Sequence, residues 1–201
     1  MNARTRFAAL LIVAVLGSSI SLADKKAAPR NRMMPPTLLL IRHAEKPGDD
    51  EKSSHLSAEG LKRAAALAEL FKPTKLRPDP FPVPDIIFAA KSSKQSQRPL
   101  ETVAALARTL RVTVNADYDD EEDVDRLAAD LLSNRQLVGK TVLICWRQES
   151  LPDLARKFGA ADAPKNWKGE VFDRVWQISY RQDGQVKFQD RPQSLLPGDS
   201  K

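Results

Sequence analysis

Arg42, His43, Glu45 and Lys46 stand together directly after residues 37–41, an unbroken run of apolar or β-branched side chains. A neutral imidazole can act as a nucleophile, and a guanidinium beside it supplies fixed positive charge for an anion. The run before them reads as a strand buried on both faces, and open α/β sheets bind ligands just past the carboxyl ends of such strands. For Arg42 and His43 to serve one site the strand has to stop there, because successive side chains point to opposite faces. Pro47, Gly48 and the acids that follow supply the turn. A histidine that merely ends a strand fits the same residues.

Two other strand ends carry polar groups. Residues 85–90 (DIIFAA) form a second buried run, followed by the polar stretch KSSKQSQ and then Arg98, where a helix opens. A serine-rich loop and a helix start present free N–H groups and partial positive charge, which together with a guanidinium suit phosphate. An arginine that stays in solvent fits that position too. Arg147, Gln148 and Glu149 follow a further buried run, residues 141–146 (TVLICW). Between these lie seven acids among residues 117–125. Acids gather at helix starts, and one of these could face the site as a proton donor. As a calcium loop the stretch lacks the glycine and terminal glutamate.

The elements that must position these groups follow from periodicity. Ser57 is a suitable N-cap for a helix whose packed face is Leu61, Ala64, Ala65, Ala68 and Phe71, ending by Pro73. Five prolines among residues 73–84 exclude helix and central strand. Leu100, Val103, Ala104, Ala107 and Leu110 make the inner face of the helix after Arg98, with Pro99 in its first turn. Residues 112–115 suggest a short third strand, and Val124, Leu127, Ala128 and Leu131 the face of the next helix. Ser150 with Asp153 resembles a capping box before Leu151, Leu154, Ala155 and Phe158. The alternating segments 174–180 and 185–189 around Asp183-Gly184 predict a C-terminal edge hairpin.

Composition limits what such a domain does. The 201 residues suit one domain, expected over residues 37–196, with residues 197–201 as a tail. Arg4 and Arg6, an apolar run to Leu16 and the small residues before Ala23 predict a signal peptide over residues 1–23, cleaved after Ala23. Residues 24–36 read as a flexible lead. The expected product is periplasmic or secreted, tethered to a membrane only if the leader is retained. Without Arg4 and Arg6 the 32 basic residues fall to 30 against 26 acidic ones, a net charge of +4. That mild excess favours anionic small molecules, and no dense Lys/Arg stripe with aromatics points to nucleic acid. Cys145, the single cysteine, excludes an intramolecular disulfide and reads as a small core residue; as a nucleophile it has only Arg147 nearby to stabilise a thiolate.

Arg42-His43-Ala44-Glu45, then Leu56-Ser57-Ala58-Glu59-Gly60 with Arg63-Ala64, then Arg98-Pro99-Leu100-Glu101-Thr102 occur in one order. This set resembles the histidine phosphatase superfamily, over nearly all of the chain after its leader. The resemblance implies a phosphoglycerate mutase-like α/β fold, a three-layer sandwich around a mostly parallel sheet. It also implies phosphoryl transfer from a small phosphorylated substrate to His43 and on to water. Arg42 and Arg98 would hold the phosphate, with no metal and no organic cofactor.

The chain departs from the family pattern in two places. Ala44 stands where the family has glycine, and the segment after the fourth strand, where the family carries a second histidine, reads Trp146-Arg147-Gln148-Glu149. The two histidines are His43 and His55. Arg147 or Gln148 takes the expected place and would contact the phosphate. Glu149, Glu45 and the acids of residues 117–122 are the candidates for the general acid. A slowed phosphatase and a phosphate-binding envelope protein without catalysis both follow from that substitution.

Overall fold

Every second side chain along the first strand faces one of two separate helical layers, and this alternation builds the molecule. The computed structural model describes residues 37–48, 53–181 and 183–200. The expected leader and lead, residues 1–36, lie outside the described residues.

Six strands, β1 (Thr37–Arg42), β2 (Ile86–Ala89), β3 (Val114–Asn115), β4 (Thr141–Trp146), β5 (Arg174–Tyr180) and β6 (Val186–Pro192), form one sheet in the order β3-β2-β4-β1-β5-β6. β1, β4, β2 and β3 pair in parallel, with Leu39 opposite Leu143 and Ile87 opposite Leu143. β5 pairs antiparallel with β1 and with β6, which gives the expected edge hairpin. β6 is longer than the alternation suggested, because Arg191 and Pro192 still find partners in Val175 and Arg174.

Leu38, Leu40, Val142, Ile144 and Trp146 face α3 (Val124–Ser133) and α4 (Leu151–Lys157). Leu39, Ile41, Ile87, Leu143 and Cys145 face α2 (Arg98–Leu110) and the 3₁₀ turn Leu67–Phe71, which continues α1 (Ala58–Ala66). Strands covered on both faces need apolar side chains at every position, so β1 and β4 read as continuous runs. Helices on both sides of the sheet make the three-layer sandwich the sequence implied.

Helix starts differ from expectation in one case. The Ser57 hydroxyl accepts from the Gly60 N–H at 3.1 Å, as a capping serine should. Ser150 makes no such bond: its backbone is already helical, so its side chain cannot reach back over the first turn. α1 also ends sooner than its apolar spacing suggests, tightening into the 3₁₀ turn at Leu67.

Two contacts set the loop after β1. The Ser57 N–H donates to the Glu45 carbonyl at 2.9 Å, and α1 then passes so close that a Cβ on Gly60 would lie 2.3 Å from that same oxygen. Only a residue without a side chain fits this approach. Ala44 is fully buried there with Leu56 and Ala64.

Candidate active site

β1 delivers Arg42 and His43 to the carboxyl edge of the sheet. The ladder runs one rung past the strand, since the His43 N–H donates to the Trp146 carbonyl at 2.9 Å. The next N–H, that of Ala44, donates to the Thr102 hydroxyl at 2.9 Å, and that hydroxyl donates to the Arg98 carbonyl at 2.7 Å. One threonine therefore fixes the loop carrying His43 against the helix start carrying Arg98.

His43 is 5% exposed, and its Nδ1 lies 2.7 Å from the Ala44 carbonyl oxygen. A carbonyl only accepts, so Nδ1 carries the proton and Nε2 keeps its lone pair. Burial pushes the imidazole pKa down to about 3, and the charges of Arg42, Arg98 and Arg147 push the same way against the Ala44 bond. The ring is thus neutral across the physiological range. Three arginines lie close enough to act on it.

Arg42 is almost fully buried. Its Nη1 donates to the carbonyls of Gly169 at 2.5 Å and Val171 at 3.1 Å, and its guanidinium lies 3.7 Å from the centre of the Phe172 ring. Burial lowers its pKa to about 10, partly offset by Glu149 and Glu45. The Phe172 ring is also 6.2 Å from the His43 ring, so one aromatic residue backs both side chains. Arg98 donates from Nη1 to the Ser53 carbonyl at 2.8 Å, and its pKa is lowered by burial and by Arg147. The Nε groups of Arg42 and Arg98 are buried and make no hydrogen bond among the described residues. A buried N–H without an acceptor costs about 1–3 kcal/mol, which an oxyanion placed there would relieve.

At the end of β4, Arg147 reaches this group from the other side. Its Nε is 2.8 Å from Oδ2 of Asp120, while Glu121 and Glu149 each lie 3.7 Å away. The Asp120 pair is an ion contact without hydrogen-bond alignment, and among the described residues neither carboxylate oxygen meets a donor at full hydrogen-bond geometry. Asp120 is 5% exposed, and burial raises its pKa to about 6 despite Arg147. Trp146 holds the loop in place by donating from Nε1 to the Asp120 carbonyl at 2.9 Å.

The other sequence candidates separate. Gln148 turns inward: its side chain approaches Gly169, whose carbonyl takes Arg42, and its Oε1 is buried without a partner among the described residues. Glu149 is more exposed and lines a cleft of about 510 Å³ with Glu121, Ser150, Asp153 and Arg156. That cleft adjoins Arg147, and His43 is not in its wall. Glu45 does not turn toward the imidazole: both its oxygens accept from Arg63, at 2.7–3.1 Å. The second histidine, His55, is exposed and bonds through Nδ1 to Glu101. Cys145 is fully buried, and burial pushes its thiol pKa up, which rules out a ready thiolate. Among the described residues no three His, Cys, Asp or Glu side chains are placed to share a metal ion.

Phe172, Thr102 and Arg63 belong to this arrangement and were not singled out as site residues by sequence reasoning. Thr102 and Arg63 stand inside the ordered motifs, whereas Phe172 lies in a polar connection with no local signal.

The architecture has solved counterparts. It matches the protein histidine phosphatase SixA complexed with tungstate at a TM-score of 0.51, with 12% identity over 78% of this chain and 97% of that one. It also matches a proposed alpha-ribazole-5′-P phosphatase from Escherichia coli at a TM-score of 0.53, with 13% identity over 80% of this chain and 98% of that one. The chain has the histidine phosphatase fold. No protein-family model and no curated protein matches its sequence. Within the histidine phosphatase fold, the carboxyl edge of the sheet here gathers one neutral imidazole, three arginines and one buried acid.

Proposed function

We propose that the protein is a phosphatase that hydrolyses a small phosphorylated compound through a phosphohistidine at His43. The observation that carries this reading is the state of the imidazole: Nδ1 is tied to a carbonyl, Nε2 holds a lone pair, and burial, with Arg42, Arg98 and Arg147 adding to it, lowers its pKa. Nε2 attacks phosphorus as the bond to the leaving oxygen breaks. Arg42 and Arg98 offset the charge on the equatorial oxygens, using the Nε groups that lack partners. Protonated Asp120 gives its proton to the leaving oxygen. Water then attacks the phosphohistidine, gives its proton back to Asp120, and leaves inorganic phosphate and free His43.

The test is hydrolysis of a panel of phosphomonoesters by the full chain, with His43→Ala alongside. Turnover that disappears in His43→Ala, together with an acid-labile phosphoryl group trapped on the wild-type protein, is the expected result. Equal trace activity in both overturns it.

One feature favours a second reading, a phosphate-binding envelope protein without catalysis. Arg147 or Gln148 takes the place where the resemblance puts a second histidine, and Arg147 is engaged with Asp120. An arginine supplies charge but no titratable proton, and loss of one transition-state donor typically costs about 100- to 1000-fold in turnover. Saturable phosphate binding without any phosphoprotein would select this reading. Either protein would be exported, its residues 1–23 removed; recovery of a chain beginning at Asp24 from the cell envelope tests that.

A further inference from the structure

Asp199 lies within the last residues of the chain, in the segment expected to be a tail, yet its side chain is only 6% exposed. Its Oδ1 accepts from Nη2 of Arg63 at 2.8 Å and its Oδ2 from Nη1 at 3.0 Å. Oδ2 also accepts from the N–H groups of Leu195 and Leu196 at 2.8 and 3.0 Å. The other edge of the same guanidinium holds Glu45, two residues beyond His43. One buried cation thus joins the chain's final turn to the loop that carries the imidazole. Burial opposes the charge on Arg63, but the bonds to Asp199 and Glu45 outweigh it and raise its pKa.

A second branch leaves the same segment. Gln193 is 1% exposed, and its Oε1 accepts from Arg63 Nη1 at 3.2 Å. Its Nε2 donates to the carbonyls of Phe172 and Arg174, each at 3.2 Å, and its own N–H donates to Asp173 at 2.7 Å. Phe172 is the ring under Arg42. Arg77 in turn donates to the Gln193 carbonyl, and Ser194 adopts a φ of 47°, a left-handed turn that needs such support in a residue with a side chain.

We infer that the C-terminal segment from Gln193 to Asp199 is a positioning strap for the reaction centre. Asp199, through Arg63 and Glu45, holds the His43 loop, and Gln193 holds Phe172 beneath Arg42. Neither residue touches the reacting atoms. The role presupposes the phosphatase reading for its kinetic consequence, while the geometric consequence stands without it. A misplacement of about 1 Å arising far from the chemistry can cost about 100-fold in rate, so slackening either branch has a kinetic signature out of proportion to its effect on folding.

The experiment compares Asp199→Asn and Gln193→Ala with the wild-type full chain, using Asp162→Asn, at an exposed position away from the site, as a surface control. Two quantities are read well below the melting temperature: the ¹⁵N and ¹H signals of the His43 ring, and kcat/KM for a phosphomonoester. The expected result is a folded Asp199→Asn protein with displaced His43 signals and kcat/KM lower by about 10- to 100-fold, while the control matches wild type. Should Asp199→Asn not fold, Asp199→Glu, which keeps the charge and displaces it by one methylene, is read in the same way. Unchanged ring signals overturn the proposal, as do displaced signals with wild-type kcat/KM. If wild type shows no turnover, the phosphatase reading fails alone, and the ring signals still decide the strap.

Discussion

Nε of Arg147 lies 2.8 Å from a carboxylate oxygen of Asp120, and that contact joins the end of β4 to an acid whose pKa burial has pushed up to about 6. The pairing singles out, among the five acids of residues 117–122, the one to which the proposed mechanism gives the leaving-group proton.

The pH dependence follows directly. His43 must be neutral to attack, which holds above about 3, and Asp120 must be protonated to donate, which holds below about 6. The profile of kcat/KM is expected to be a bell between those values, falling by about tenfold per pH unit on the alkaline side. Initial rates across the pH range at low substrate check it, and a flat profile up to neutral pH removes Asp120 from the role.

Arg147→Ala takes away the cation that opposes the desolvation of Asp120. The carboxyl pKa then rises further, because burial alone disfavours its charged form. The alkaline limb of the profile is expected to move upward while the maximum falls, as one of the three cations acting on His43 is lost. Full pH profiles of both proteins separate the two effects.

Thr102→Val keeps the shape of the side chain and deletes its hydroxyl. The Ala44 N–H then has no acceptor, at a cost of about 1–3 kcal/mol, and the His43 loop is no longer tied to the start of α2. A lower urea midpoint accompanied by weaker phosphate binding is expected, and an unchanged phosphate affinity would show that the tie serves stability alone.

Arg63→Ala leaves the half-buried Glu45 and the buried Asp199 with no cation between them. Removing one partner of a buried ion pair typically costs about 3–5 kcal/mol. In the intact protein Arg63 and two backbone N–H groups hold the Asp199 pKa below its ordinary 3.8, against its burial. Its contribution to stability is therefore present at neutral pH and is lost as pH falls through the depressed value. Denaturant midpoints at neutral pH and at about pH 2 should differ more for wild type than for Arg63→Ala.

The sheet and the strand-end positions of His43, Arg98 and Arg147 were legible because each rests on a pattern contained within a few residues. Continuous apolar runs declare strands covered on both faces, and the polar residues that end them declare the carboxyl edge. The engagement of Glu45 was not legible for the opposite reason: its partner Arg63 lies in the following helix, and Asp199 much further along, so no local spacing reveals that its charge is already paired. Phe172 gives no signal in its own polar neighbourhood, since only folding places its ring against Arg42. Ser150 shows the limit of a local rule, because the capping pattern was present while the backbone had already turned helical.

The 2.3 Å separation between the Glu45 carbonyl and a Cβ built on Gly60 makes position 60 intolerant in a way its place in a helix would not suggest. A library randomised at that codon should return glycine alone among functional clones. The same library at Gly48, where nothing approaches within 4 Å, should return most of the amino-acid alphabet.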